Sequence, residues 1–333
     1  MKVAQTLAAT VYDIRVSMTP DDRESLEVLD ERLRTMLPLE YQDSYETMQP
    51  VSMGSTGLKF QSDGQVAWND MWQSFCDLAM AGGPPHKGTL LEPGRREDIV
   101  AQPDRYADVA AEIRRGIRLV TGLPTEVSRI PGWLRVTCHN DVMADWLTRA
   151  IVMENVAAFR IGNILHLPLS PGFRLEKEIK NVITVIGKTC HYWMGHIPAV
   201  QKVRISMLFA TMAVEGALIA PALPDAMLPS SDQEIARAQM SDALQAATGR
   251  PMSSHRYADW FGMDCADVAA AVWMMRALVA SNVLARREGT TLCVPLHPID
   301  STGGGDGAEI VRRLSRIYRL AIVRQGATES GSV

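Results

Sequence analysis

Apolar residues recur at helical spacing in two long stretches of the chain, and each stretch is followed by short strand-like runs. Residues 140–155 and 266–282 carry apolar positions with a helical period, and each stretch ends at an asparagine that tolerates a helix C-terminal cap. Beyond them, VAAFRI-GN-ILHLPL and VLARRE-GT-TLCVPL place a glycine turn between two runs. Such turns indicate β-hairpins. The pattern therefore predicts a helix followed by a hairpin, twice.

These two stretches belong to an internal duplication. A shift of 127 positions (273 − 146) lays residues 105–169 on residues 232–296. Twenty of the 65 aligned positions are identical, whereas average composition gives about 4 or 5 by chance. The identities include the pairs Trp133/Trp260, Trp146/Trp273, Arg149/Arg276, Asn155/Asn282, Gly162/Gly289 and Pro168/Pro295.

Both copies present the same order of local signals. A helical stretch ends at T-G-x-P, a short segment with Trp133 or Trp260 follows, and the longer helix and the hairpin come last. We interpret the tryptophan segment as a short helix. Helix, short helix, longer helix and hairpin resembles the winged helix-turn-helix superfamily in tandem, without pointing to one family. The resemblance implies a mainly α fold with small β wings (α+β), formed by tandem winged-helix-like domains with a helical insert.

The predicted domains follow from this alignment. Residues 1–98 form an N-terminal domain, which we interpret as a degenerate winged helix because Trp72, Gly88 and Leu91 match the first copy at an offset of 74. An unrelated N-terminal domain is the alternative. The other predicted units are a winged-helix-like domain at 105–172, a helical insert and linker at 173–228, a second winged-helix-like domain at 232–298, and a C-terminal helix with a flexible tail at 299–333.

Composition narrows the class of protein. The formal net charge of −4 gives no overall cationic field of the kind that non-specific binding to nucleic acid needs. Five widely spaced cysteines without a C-x-x-C pair, and a first segment unlike a secretory leader, favour a reducing cytoplasm. The most apolar run, residues 205–223, contains Glu215, follows Lys202 and Arg204, and leaves through Pro221 and Pro224. We interpret it as a buried helix, so no membrane partner is predicted.

The longer helix of each copy does not resemble a DNA-reading helix. Major-groove readout needs exposed cationic or amide side chains on that helix. Arg149 and Arg276 are the only cations of the two helices, and Asp141 and Asp145 would repel phosphates. A DNA-binding regulator is therefore the third hypothesis for function, behind a protein partner and a small-molecule ligand.

Partner binding is the first hypothesis. Tandem winged helices with weak cationic character resemble modules that bind other proteins, and this resemblance implies a non-catalytic, regulatory role without enzyme activity. The candidate partner-binding residues are Arg149, Arg276, Arg286 and Arg287. The simpler interpretation is that Trp146 and Trp273 fill the domain cores, and that the arginines of the same helices close local ion pairs or caps.

Two other segments support the alternative, a small-molecule or cofactor-binding enzyme or an accessory protein of cofactor metabolism. The turn with Gly82, Gly83, His86 and Lys87 could bind an anion through backbone N–H groups. The segment with His191, Tyr192 and Trp193 suits an aromatic ligand. Because residues five apart lie about 140° around an α-helix, His191 and His196 are not expected to share a metal ion. No metal site is predicted, and no cofactor or catalytic residue can be assigned.

Overall fold

The structure is a computed structural model that describes residues 18–45, 57–70, 77–223, 229–254, 257 and 259–330. Within these residues the chain forms long helices and two small antiparallel sheets, which confirms a mixed fold that is mainly α with small β elements. The helices are α1 (Pro20–Met36), α2 (Arg96–Ala101), α3 (Pro103–Thr121), α4 (Asp141–Met153), α5 (Lys180–His191), α6 (Ala199–Glu215), α7 (Ser230–Thr248), α8 (Val268–Val279) and α9 (Gly305–Ser330). The strands are β1 (Thr125–Val127), β2 (Trp133–Thr137), β3 (Phe159–Ile161), β4 (Ile164–Pro168), β5 (Trp260–Asp264), β6 (Arg286–Glu288) and β7 (Thr291–Pro295).

The two sheets are built in the same register. The first has the order β1-β2-β4-β3 and the second the order β5-β7-β6. Trp133 lies opposite Pro168, and Trp260 lies opposite Pro295. The predicted short helix at each tryptophan is therefore wrong, because both segments are strands that pair with the second strand of the hairpin. The free edge of that hairpin supplies backbone partners, and the aromatic and branched residues of the segment suit a half-buried strand.

The helix-end signals read from the sequence are correct. Gly122 and Gly249 end α3 and α7 with φ of 73° and 67°. Asn155 and Asn282, which follow α4 and α8, both have φ of 60°. Left-handed backbone of this kind favours Gly and Asn, which is why these residues stop the helices.

The structural elements that the two copies share extend beyond the aligned residues 105–169 and 232–296. Leu91 pairs with Val156 upstream of the first sheet, and Ile219 pairs in the same way with Val283. Downstream, α5 packs against α3 and α4, whereas α9 packs against α7 and α8. Residues 90–196 and 218–325, named here the first and second halves, therefore contain matching elements. The helix expected to belong to an insert packs with the first half.

The N-terminal segments pack on both halves. Helix α1 contacts α6 and, in the second half, α8 and α9, while the Met36 carbonyl at its end accepts a hydrogen bond from Trp146 in the first half. Residues 82–93, which include Gly88 and Leu91 of the proposed N-terminal winged helix, form no hairpin in the structure, and Trp72 lies outside the described residues. Helix α9 continues to Ser330, so residues 326–330 are helical where a disordered tail was expected.

The described helices were also compared with the dimensions of a bilayer. No single one of them is long and apolar enough to cross a membrane. The helical segment Leu175–His196 and α6 pass that test only when taken together, across a bend of 113°.

Candidate functional site

Arg149, a predicted partner-binding residue, lies inside the protein. Its side chain is 2% exposed and its Nε donates to Asp145 Oδ1 at 2.7 Å. The guanidinium also donates to the carbonyl of Val279 at 2.9 Å and to Oδ1 of Asn282 at 2.7 Å. Burial lowers the pKa of Arg149, and the Asp145 carboxylate opposes that shift. Arg149 therefore closes an ion pair and joins the two halves, and it presents no surface to a partner.

Arg276 occupies the equivalent position in the second half but has different partners. It is 3% exposed and donates from Nε to the carbonyl of Met80 at 2.9 Å. Its Nη2 donates to the carbonyl of Ala81. The guanidinium also lies 5.1 Å from the centre of the Tyr45 ring. Arg276 thus fixes the N-terminal segment to α8.

The two remaining arginine candidates are buried in the second hairpin. Arg286 is 0% and Arg287 4% exposed. Arg286 pairs with Glu288 at 2.6 Å and stacks 4.4 Å from the Tyr257 ring. Burial lowers the pKa of Arg287. All four arginines predicted to meet a partner are thus buried in this structure, and none presents its side chain at the surface.

The same burial bears on DNA recognition. Helix α4 is buried from Met143 to Met153, and α8 is buried from Ala270 to Val279. Neither helix offers an outward face that could enter a groove. Because both helices are buried, they do not offer a surface for reading the DNA major groove. Their scarcity of cations had already disfavoured that role.

The loop that contains Gly82, Gly83 and His86 does bind an anion, but this anion is the carboxylate of the protein's own Glu154. The Glu154 carboxylate accepts from the backbone N–H of Ala79 and of His86, each at 2.9 Å. Lys188 Nζ lies 2.7 Å from the same carboxylate, and both side chains are 0% exposed. The N–H groups of Gly82 and Gly83 donate to carbonyls at the preceding turn. The predicted anion-binding groups are therefore occupied internally.

The two glycines have backbone roles in this loop. Gly82 has φ of 104°, a left-handed conformation that side chains other than Gly and Asn rarely adopt. A Cβ on Gly83 would lie 2.4 Å from the Asp77 carbonyl oxygen. His86 is largely buried, and this burial, together with the nearby Lys188 charge, lowers its pKa to about 3. Lys87 donates its N–H to the Glu154 carbonyl at 3.2 Å.

The predicted aromatic ligand site is part of the core. The Tyr192 hydroxyl lies 2.5 Å from the Tyr41 hydroxyl, and Tyr41 donates to Asp77 at 2.9 Å. Burial raises the pKa of both tyrosines. Trp193 is 4% exposed and packs 5.5 Å from the Trp146 ring. These rings connect the N-terminal segment to α4 and α5 and leave no open aromatic face.

The histidines, in contrast, lie closer together than the sequence indicated. Residues Tyr192–His196 form a π-helical turn, whose i to i+5 hydrogen bonding brings residues five apart onto one face. The Nε2 atoms of His191 and His196 are 3.0 Å apart, and His196 Nδ1 is 2.8 Å from Glu40 Oε2. The angular argument against their meeting was therefore wrong. In the described part of the chain, no three His, Cys, Asp or Glu side chains form a metal-binding group.

Helix α6 has an exposed apolar face that the sequence analysis did not predict. Val200, Val203, Met207 and Val214 are 69%, 60%, 66% and 89% exposed. The opposite side of α6 buries Gln201, Ile205, Phe209 and Met212. The prediction of a buried helix in this run is correct for one side only. Because both sides are rich in apolar residues, hydrophobic periodicity alone could not reveal that one of them faces solvent.

The chain was compared with known proteins at the level of sequence and structure. No protein-family model, curated protein or solved structure matches it.

Proposed function

We propose that this protein is a non-catalytic, protein-binding module, and that it binds through the exposed face of α6. Four large apolar side chains, Val200, Val203, Met207 and Val214, lie along this face at 60% exposure or more. Single exposed apolar residues are ordinary, whereas a continuous row of them marks an interaction surface. This row is the observation that carries the proposal.

The proposal keeps the predicted function but changes the residues that perform it. The arginine candidates belong to the internal framework, so the binding surface has to be sought elsewhere. Helix α6 is held firmly from behind, because Gln201 donates to the carbonyl of Thr35 at 3.0 Å and Phe209 packs against the Arg149 guanidinium at 4.6 Å. A rigid helix that presents apolar side chains suits helix-to-helix or helix-in-groove recognition. The tandem winged-helix interpretation remains part of the same proposal.

The experiment compares proteins that co-purify with wild type and with two variants. Val214→Glu places a charge on the proposed face, and Val100→Glu makes the same change at a site on α2 that is 74% exposed. We expect native purification and mass spectrometry to find a stoichiometric protein, another copy of the chain included, that Val214→Glu loses and Val100→Glu retains. Equal retention by both folded variants would contradict the proposal.

A second candidate function, ion or small-ligand binding, is favoured by the His191 and His196 pair. Burial and the neighbouring His196 lower the pKa of His191, which keeps its imidazole neutral as a metal ligand must be. Glu40 could orient His196 in the manner of a carboxylate behind a metal-bound histidine. Two protein ligands would leave the other positions to water.

Zinc titration by calorimetry tests this second candidate. We expect wild type and His139→Ala, which alters an exposed histidine elsewhere, to bind one ion, and His191→Ala to bind none. If His191→Ala binds zinc as wild type does, the pair is only a hydrogen-bonded one.

A further inference from the structure

The exposed residues of α6 follow the heptad spacing of a coiled-coil seam. Val200, Val203, Met207, Ala210 and Val214 are separated by 3, 4, 3 and 4 positions, and all five are exposed. Apolar residues with this alternation form the a and d positions through which two helices pack. The seam extends over nearly the whole of α6, which is 17 residues long. The whole seam therefore lies on one helix, and a second helix is needed to pack against it.

We propose that the α6 seam pairs with the α6 seam of a second copy of this chain, in antiparallel orientation. This inference rests on the proposed function, protein binding through α6, and names the partner. In antiparallel pairing each a position lies level with a d position of the other helix. Met207 then lies level with Ala210 of the second copy, and Val203 lies level with Val214 of the second copy. The large Met207 side chain meets a small one, as close packing requires.

The spacing is also self-complementary. An antiparallel pair is related by a two-fold axis, so the same residues must serve on both sides. The four seam residues from Val203 to Val214 satisfy this condition, because reversal of the helix exchanges Val203 with Val214 and Met207 with Ala210. The side chains on one edge of the seam are small: Ser206 and Ala213 flank it there and would let the two backbones approach closely.

Charge favours antiparallel over parallel pairing. Parallel helices would bring Arg204 beside the edge of the second copy that carries Ser206 and Ala213, where no charged side chain can pair with it. Antiparallel helices bring Arg204 to the C-terminal end of the other α6. That end carries Glu215 and the partial negative charge of the helix. Glu215, which also pairs with Arg32, is half-exposed at the rim of the seam.

The expected assembly is a reversible dimer. A contact of one helix per chain, about 26 Å long at 1.5 Å per residue, is small beside a permanent interface. We therefore expect sedimentation equilibrium to give a mass that rises from one chain towards two with concentration. Met207→Glu should keep the mass at one chain at every concentration, whereas Val100→Glu should behave as wild type. Circular dichroism checks that each variant is folded.

Cysteine cross-linking tests the orientation. In the proposed register residue 203 lies about 16 Å along the axis from residue 203 of the second copy, beyond the reach of a disulfide. A mixture of Val203→Cys and Val214→Cys chains should therefore form a cross-linked dimer on mild oxidation, while neither variant should do so alone. Wild type, which has five cysteines of its own, measures the background. Cross-linking of Val203→Cys with itself would indicate parallel pairing and overturn the proposal.

The outcomes separate this inference from the proposed function. A wild-type chain that stays monomeric at all concentrations, or a dimer that Met207→Glu leaves intact, contradicts self-pairing. If the monomer still binds a different protein that Met207→Glu loses, the proposed function stands and only the identity of the partner is wrong. If neither self-association nor any Met207-dependent partner is found, both proposals fail.

Discussion

The two halves of the molecule share three helices, three strands and the register between those strands, yet they differ in the chemistry of buried positions. Glu154 and Lys188 form a buried ion pair in the first half, and the residues 127 positions further on are Ser281 and Ser315. Likewise, buried His166 on β4 corresponds to Cys293 on β7. The shared backbone therefore does not depend on these groups. In the first half the Glu154–Lys188 pair has a different role, because it holds the glycine and proline loop that precedes this half in the chain.

Among the tests of this comparison, Lys188→Met should lower the free energy of unfolding most. It would leave the Glu154 carboxylate fully buried without its ammonium partner, and breaking a buried ion pair in this way costs about 3–5 kcal/mol. The matched change in the second half, Ser315→Ala, removes a hydroxyl that has no hydrogen-bond partner among the described residues, and should cost under about 0.5 kcal/mol. Urea unfolding measures both.

A companion double variant separates the charge from the packing. Glu154→Gln with Lys188→Met removes both charges at similar volume, so we expect it to recover part of the stability lost by Lys188→Met alone. If Lys188→Met and Ser315→Ala lower the free energy of unfolding equally, the ion pair does not hold the loop.

Substitution of the equivalent arginines, Arg149 and Arg276, tests the same comparison and should change the free energy of unfolding by a smaller amount. Arg149→Met removes an ion pair with Asp145 and donors to Val279 and Asn282, whereas Arg276→Met chiefly removes donors to two backbone carbonyls. Hydrogen bonds to charged groups contribute about 1.5–3 kcal/mol, and Asp145 keeps its second partner, Arg160, at 3.0 Å. We expect Arg149→Met to cost more than Arg276→Met by about 1–2 kcal/mol in urea unfolding. Equal costs would mean that the ion pair adds nothing.

Local signals predicted the elements that depend on local chemistry. Asn155 and Asn282 stop α4 and α8, as the sequence predicted. Asn140 and Asp267, which the sequence analysis did not single out, cap the starts of these helices by accepting from the backbone N–H three residues on. Such contacts span only a few residues, so the sequence contains all of them. The repeated order of helix and hairpin followed from the same signals.

Features that depend on distant partners could not be predicted in this way. The strand at Trp133 exists because β4 pairs with it, and the paired residues Leu134 and Leu167 are 33 positions apart in the sequence. Arg149 becomes buried because α6 and α8 close over it, which no spacing within α4 discloses. The π-helical turn that brings His191 to His196 likewise departs from the regular period that the angular argument assumed.

The pH dependence of stability offers the last and smallest test of the comparison. Burial, and then the Arg135 charge, lower the pKa of His166 to about 4, from an ordinary value of 6.5. Between these values the unfolded chain binds a proton that the folded chain does not, so stability falls as pH falls through this window. His166→Cys installs the residue that the second half uses at this strand position.

We expect this substitution to reduce the stability lost between pH 7 and pH 5 by about 1–2 kcal/mol, as measured by urea unfolding at both pH values. His86, whose pKa is also lowered, contributes equally to wild type and variant and cancels in the comparison. An unchanged acid response in His166→Cys would mean that the imidazole gains solvent before the protein unfolds. The acid sensitivity of the two halves would then not differ at this strand position.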